Sequence, residues 1–408
     1  MLIAASSIVP AAGTTDYLAP VLAPGYLICE SGTITEVGAG PPPGPADVEF
    51  ATGFLLPGLV DLQVNGYFGI ELGDAEPVGW AEVVRRLPET GTTAFLPTFI
   101  TSPVEQLVAA LRGTAGFAPE LAGPAKADRV AGGTAPARVP AGARVLGVHL
   151  EGPFIAASRR GAHNPAWIIP PDEKTISALL AAGAGLVRVV TLAPEIDGAM
   201  AAIGQLTTAG ALVSVGHSDA TARQVAAAAT AGARMVTHLF NGQRPLHHRE
   251  PGVVGQALID TRLACGLIAD MQHVASPVAA LAFRAAPGRI FLVTDAAASA
   301  GMAAGRYVLG GEPIDLANGD GAPPVRADGT LAGSALRMDA AVANMVAAGI
   351  GLPEAVAAAT RIPADLVGRP DLGRIAPGAA ADLTWLSDDL RTAATWVAGH
   401  QVYSRPLG

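Results

Sequence analysis

Apolar and polar positions along the chain fall into two textures. In the middle, eight runs are mostly apolar throughout: Leu59–Asn65, Thr93–Phe99, Arg144–Glu151, Val187–Glu195, Ala211–Ser218, Arg234–Asn241, Ala264–His273 and Arg289–Ala296. Strands with one wet face alternate apolar and polar, whereas strands of a parallel sheet covered on both faces do not. Ala-rich stretches of helical character separate most of the runs, among them Asp219–Ala231 and Ser276–Ala286. Thr221 or Asp219, and Ser276, are expected to cap them. Eight such β–α units within about 250 residues predict an α/β fold, the (β/α)8 TIM barrel. A doubly wound sheet is the alternative, but it has no reason to stop at eight strands.

At both ends the texture is of short β-like pieces broken by turns. Tyr26–Cys29, Gly32–Gly38 and the Pro/Gly-rich 38–47 lie near the start; Gly373–Gly378, Ala381–Leu386 and Thr395–Gly399 lie near the end. These predict antiparallel strands with tight turns. Residues 1–56 and 369–408 are expected to join as one small β-sandwich around a barrel of 57–368. Residues 113–143 are rich in Ala, Gly and Pro. They predict a flexible surface insertion on the barrel face opposite the site, without chemistry of its own.

Composition narrows the function. The chain has 408 residues, half of them hydrophobic, and 26 Lys and Arg against 35 Asp and Glu give a net charge of −9. A large core is possible, and the basic run that nucleic acid requires is missing. An anionic substrate must then be held by a few local cations. Two distant cysteines, Cys29 and Cys265, exclude a disulfide framework and a CxxC metal motif, and fit a reducing cytoplasm. The opening MLIAASSIVPAAG has no basic n-region and meets Pro10 early, so no signal peptide is expected. No apolar run reaches the roughly 18 residues of a membrane span.

Most of the runs end in polar groups: Gln63 and Asn65, Thr98, Glu151, Glu195, His217, His238, His273 and Asp295. A barrel gathers the C-terminal ends of its strands at one mouth, where these groups would meet. Glu151 ends an apolar run and is followed by Gly-Pro; a carboxylate buried there must be paired or bind something. Taken singly, Glu151 reads equally as a salt-bridged residue and His163 as a surface residue, and each strand-end histidine is more often a hydrogen-bonded core residue than a ligand. Together, Glu151, His217 and His238 make the carboxylate-plus-imidazole set that a catalytic zinc or iron(II) uses. Such an ion acidifies a water and polarises a carbonyl. Asp295 is then the general base and acid, with a supporting partner or a further metal ligand as the alternative. The first strand carries Gln63 and Asn65 but no histidine, and the two lysines, Lys126 and Lys174, lie on no strand end. One divalent ion is therefore expected rather than two.

Specific motifs cover nearly the whole chain outside the insertion: Pro57–Asp61 with Asn65-Gly66, Thr92–Thr98, His149–Pro153, Gly161–Pro165, Val190–Glu195, Gly216–Ser218, Thr237–Asn241, Arg249–Gly252, Ile268–Asp270 with His273, Val293–Asp295 and Leu331–Ser334. In these the chain resembles the N-acetylglucosamine-6-phosphate deacetylases of the amidohydrolase superfamily. The resemblance implies one divalent ion per subunit on Glu151, His217 and His238, zinc before iron, cobalt or manganese. It implies Asp295 as acid–base residue, and His163 on the amide carbonyl. His273 is implied at the sugar, Asn241 and Gly242 at the phosphate, and Leu336 among the substrate contacts. It further implies a homodimer in which Arg249 reaches the neighbouring subunit's phosphate; the alternative for Arg249 is a surface residue paired with Glu250. Gly242-Gln243-Arg244, His247-His248 and the segment after Asp295 depart from the family pattern at the substrate rim. Another N-acyl amino sugar phosphate, a cyclic amide, and a non-catalytic sugar-phosphate sensor are the rival readings.

Overall fold

The eight apolar runs are eight parallel strands in a computed structural model that describes residues 1–13, 18–121, 142–318 and 322–405. The strands are β1 (Leu59–Val64), β2 (Thr92–Ile100), β3 (Arg144–Val145, then Val148–Glu151), β4 (Val187–Leu192), β5 (Leu212–Val215), β6 (Met235–Val236), β7 (Ala264–Ile268) and β8 (Ile290–Val293). They pair in that order, and both pieces of β3 lie against β2. All nine residues of β2 are buried, as a strand with apolar packing on both faces requires. Between β8 and β1 there is no regular ladder. The barrel closes just past the strand ends, where the Asp295 N–H donates to the Gln63 carbonyl (2.9 Å) and the Asn65 N–H to the Ala296 carbonyl (2.8 Å).

The helix after β5 spans Ala222–Ala231, and Thr221 caps it reciprocally with Gln224, a capping box. Asp219 is not the cap; its carboxylate holds Arg159 and Arg244. The helix after β7 spans Ser276–Ala285 and is preceded by Ala275 in extended conformation. Ser276 is thus its first residue and not its cap. Pro277 follows in the first turn, where a missing N–H costs nothing. A further correction concerns the insertion. The helix Val104–Leu121 continues through the first residues expected to be irregular, anchored by buried Leu107 and Leu111. Residues 122–141 of the expected excursion lie outside the described residues, as does Lys126.

The termini form two four-stranded sheets. One holds Leu2–Ala5, Gly25–Glu30, Thr33–Ala39 and Val48–Phe50; the other holds Phe54–Pro57, Leu383–Leu386, Thr392–Val397 and His400–Ser404. Ile3, Leu27, Ile34, Leu55, Leu383 and Trp396 share one buried core between them. The second sheet mixes the ends of the chain, with Leu55 opposite Trp385. It is tied to the barrel by a buried ion pair. Arg144, which starts β3, donates to both oxygens of Asp382 at 2.7 and 3.0 Å. Past β8 the chain makes a hairpin, Gly305–Leu309 with Glu312–Leu316, whose Leu309 and Ile314 pack with Ile100, Ala297 and Ala332. The apolar runs gave no sign of it.

Candidate active site

The site is built at the C-terminal mouth of the barrel, where side chains from several strands face one cleft of about 190 Å³. Glu151 ends β3 and is buried. Its Oε1 lies 3.2 Å from His217 Nε2 and 2.9 Å from His238 Nε2, and those two nitrogens are 3.1 Å apart. The other nitrogen of each ring is spoken for: His217 Nδ1 donates to the Arg159 carbonyl (2.9 Å) and His238 Nδ1 to the Asn241 carbonyl (3.1 Å). Each Nε2 is thereby left with its lone pair turned inward. Two lone pairs and a carboxylate oxygen facing one small volume repel one another unless a cation shares it. The donor set therefore fits a divalent ion. Without one, a proton takes its place: burial opposes charge on His238, but the hydrogen bond and charge of Glu151 outweigh it and push its pKa up to about 9. Glu151 is correspondingly held well below the usual carboxylate range, its burial overcome by the two imidazoles. Among the described residues this is the one such ligand group of three or more.

Asp295 follows β8. Its Oδ1 accepts from Gln63 Nε2 at 3.0 Å and Asn65 Nδ2 at 2.7 Å, and Gln63 Nε2 also donates to Glu151 Oε1 at 3.0 Å. Burial, then the nearby charge of Glu151, raise its pKa to about 6, close to neutrality as a general base needs. Below it, Asp61 Oδ2 accepts from the Thr294 hydroxyl at 2.6 Å; burial raises the Asp61 pKa to about 7. His217, His238 and Asp295 all have positive φ, +46°, +25° and +53°. Such backbone strain in residues other than glycine persists where the surroundings enforce it, commonly at functional sites.

His163 lines the cleft and is buried, and burial pushes its pKa down to about 3. The Thr101 N–H points at its Nδ1 at 3.4 Å, with the Thr101 hydroxyl at 2.8 Å. Nδ1 accepts, so the neutral ring carries its proton on Nε2. His273 Nδ1 donates to Asp270 Oδ2 at 2.7 Å, and the ring borders the cleft. Asn241 and Gly242 also border it. Gly242 has φ +59°, and a Cβ there would lie 2.8 Å from His217 Nδ1, so only glycine lets the chain pass so close.

Other residues singled out in the sequence do not meet there. Leu336 is buried in the core, its carbonyl accepting from the Tyr67 hydroxyl; Thr330, Leu331 and Gly333 line the cleft instead. Glu195 accepts from the Ser218 hydroxyl and the Asp219 N–H. Thr98 accepts from the Val64 N–H and joins β1 to β2. Gln243 is turned onto the Thr237 carbonyl and the Phe240 N–H, and Arg244 onto Asp219. Arg249 is exposed on its loop, and Glu250 accepts from the Ala222 and Gly252 N–H groups rather than pairing with it. Sequence reasoning missed Thr101, which fixes the His163 tautomer, and assigned Asn65 no role. The i, i+2 spacing of Gln63 and Asn65 on an otherwise apolar strand was the available signal for the latter.

The amidohydrolase family model matches residues 54–402. With its metal-fitting site at the mouth of a TIM barrel, the chain belongs to the amidohydrolase family. It is 39% identical over 362 residues to N-acetylglucosamine-6-phosphate deacetylase of Bos taurus, covering 86% of this chain and 83% of that one. It is 37% identical over 348 residues to N-acetylgalactosamine-6-phosphate deacetylase of Escherichia coli O157:H7, covering 85% and 86%. An Asp-to-Ala variant of N-acetyl-D-glucosamine-6-phosphate deacetylase from Mycobacterium smegmatis, solved in complex with N-acetyl-D-glucosamine-6-phosphate, superposes with a TM-score of 0.88 at 35% identity over 99% of both chains.

Proposed function

We propose that this chain hydrolyses the acetamide of N-acetyl-D-glucosamine 6-phosphate to D-glucosamine 6-phosphate and acetate. The observation that carries the reading is the convergence of Glu151, His217 and His238 beside Asp295 within one cleft. Glu151, His217 and His238 would hold a divalent ion, zinc in this reading, which would acidify a water and lend positive charge to the carbonyl oxygen. Asp295 takes a proton from the attacking water and returns it to the nitrogen as the C–N bond breaks. The Nε2–H of neutral His163 donates to the oxygen as it gains negative charge. His273, braced by Asp270, meets the sugar hydroxyls.

Asn241 and Gly242 hold the phosphate from within the subunit. Arg249 of a second copy completes its grip, the planar fork donating twice to one phosphate. Its exposure, and the engagement of Glu250 elsewhere, support that role. The reading places the enzyme in amino-sugar metabolism in the cytoplasm. Two buried free cysteines fit a reducing compartment, and no described helix is long and apolar enough to cross a membrane. The similarity to a galactosamine-epimer deacetylase makes that epimer the second reading. Acetate release measured on both 6-phosphates, with metal analysis alongside, tests the two; release from neither overturns both.

A further inference from the structure

Two amides grip the same oxygen of Asp295. Asn65 Nδ2 donates to Oδ1 at 2.7 Å and Gln63 Nε2 at 3.0 Å, while no described donor reaches Oδ2. Asn65 is itself fixed at the point where the barrel closes, its N–H on the Ala296 carbonyl and its carbonyl on the Leu72 N–H, both at 2.8 Å. Its side-chain Oδ1 is buried and has no partner among the described residues. A residue kept for structure alone would satisfy both ends of its amide, since an unmet buried acceptor is costly. Turning the amide over would set oxygen against the carboxylate. Asn65 thus gives up an acceptor in order to aim its N–H at Asp295.

We propose that Asn65 is a positioning residue for Asp295: it fixes Oδ1 and the carboxylate plane, so that Oδ2 alone carries the proton. This deepens the hydrolase reading and rests on it. In the first step an O–H proton of water passes to Oδ2 while the water oxygen bonds to the acetamide carbon and the C=O π pair moves onto the carbonyl oxygen, from which it returns as the C–N bond breaks. In the second the C–N bond breaks and the same proton passes from Oδ2 to the nitrogen. A carboxylate free to rotate would present either oxygen and lose alignment at both transfers, which a near-attack geometry does not tolerate. The titratable groups around Asp295 are Glu151, His238 and His273, with Asp61 beneath through Thr294; none replaces the Asn65 contact.

The test compares wild type, Asn65→Ala and Asn65→Asp, metal-loaded, on N-acetylglucosamine 6-phosphate. Expected is a fall in kcat of roughly 10²-fold, as for loss of one preorganised donor, with KM and bound metal within about threefold of wild type. The acid limb of the rate profile should move to higher pH, further for Asn65→Asp, where a second carboxylate faces the first. A kcat within threefold of wild type, an unmoved acid limb, or a KM that rises in step with the loss of kcat would overturn the proposal. If either variant shows no cooperative melting, Asn65→Ser carries the same comparison. If wild type itself releases no acetate, the functional reading fails instead. The crystal structure of Asn65→Ala then decides the positioning claim by whether the Asp295 carboxylate plane has turned; an unturned plane overturns it.

Discussion

In the proposed reaction Asp295 carries both proton transfers, and its surroundings set the pH at which it would work. With a pKa raised to about 6 by burial and by Glu151, it is ionised, and so basic, above that value. The rate should therefore fall as pH drops through about 6, and the limb should vanish in Asp295→Asn. That variant should lose roughly 10²–10⁴-fold in kcat, the usual worth of acid–base catalysis, while still binding metal and substrate; more than a tenth of wild-type activity would sink the assignment. His217 and His238 are expected to behave differently. In the proposed reaction their rings would hold an ion that the barrel core does not depend on, unlike a zinc finger. Each alanine variant should lose metal yet keep its circular dichroism; outright unfolding would restore them to the status of core residues.

At the scale of elements, the join between barrel and terminal sheets depends on the Arg144–Asp382 pair, both partners buried and bonded at two points. Removing one partner of a buried pair strands the other charge, at about 3–5 kcal/mol. Asp382→Ala should lower urea stability by that order and leave the KM of the folded enzyme unchanged, since the pair lies away from the cleft. A loss below 1 kcal/mol would show the charges to be solvated. The eight barrel strands were legible because each apolar run is buried on both faces, and Glu151, His217, His238 and Asp295 because a polar group ending such a run has few reasons to be there. The hairpin Gly305–Leu309 with Glu312–Leu316 was not, since its Gly-rich sequence alternates weakly. Leu336 was misplaced for a related reason: a motif beside the cleft says which backbone passes there, not which way an apolar side chain turns. Ser276 shows the same limit, as Ala275 already supplies the extended backbone.

In the proposed reaction a complete site takes residues from two copies of the whole molecule. With a net charge of −9, the protein does not draw a phosphate dianion by its overall field. Arg249→Ala should raise KM for the phosphorylated sugar far more than for the unphosphorylated one. Heterodimers of Arg249→Ala with Asp295→Asn should regain activity, because one of their two sites would pair an intact Asp295 with a borrowed Arg249. Verified heterodimers without recovery would place Arg249 in its own subunit or outside the reaction.

The barrel closes between β8 and β1 by the main chain of Asp295, Ala296, Gln63 and Asn65 rather than by a ladder. The main-chain bonds that close the barrel are thus carried by the same few residues that hold the carboxylate proposed as acid and base. In hydrogen exchange, the Asp295 and Asn65 amides should open more readily than those of β2 or β4, and bound substrate analogue should slow them, because local opening samples the least supported contacts first. Protection there that equals the barrel core would mean that the joint is as firm as the strands. Otherwise, mild warming should silence the enzyme while its strands are still intact.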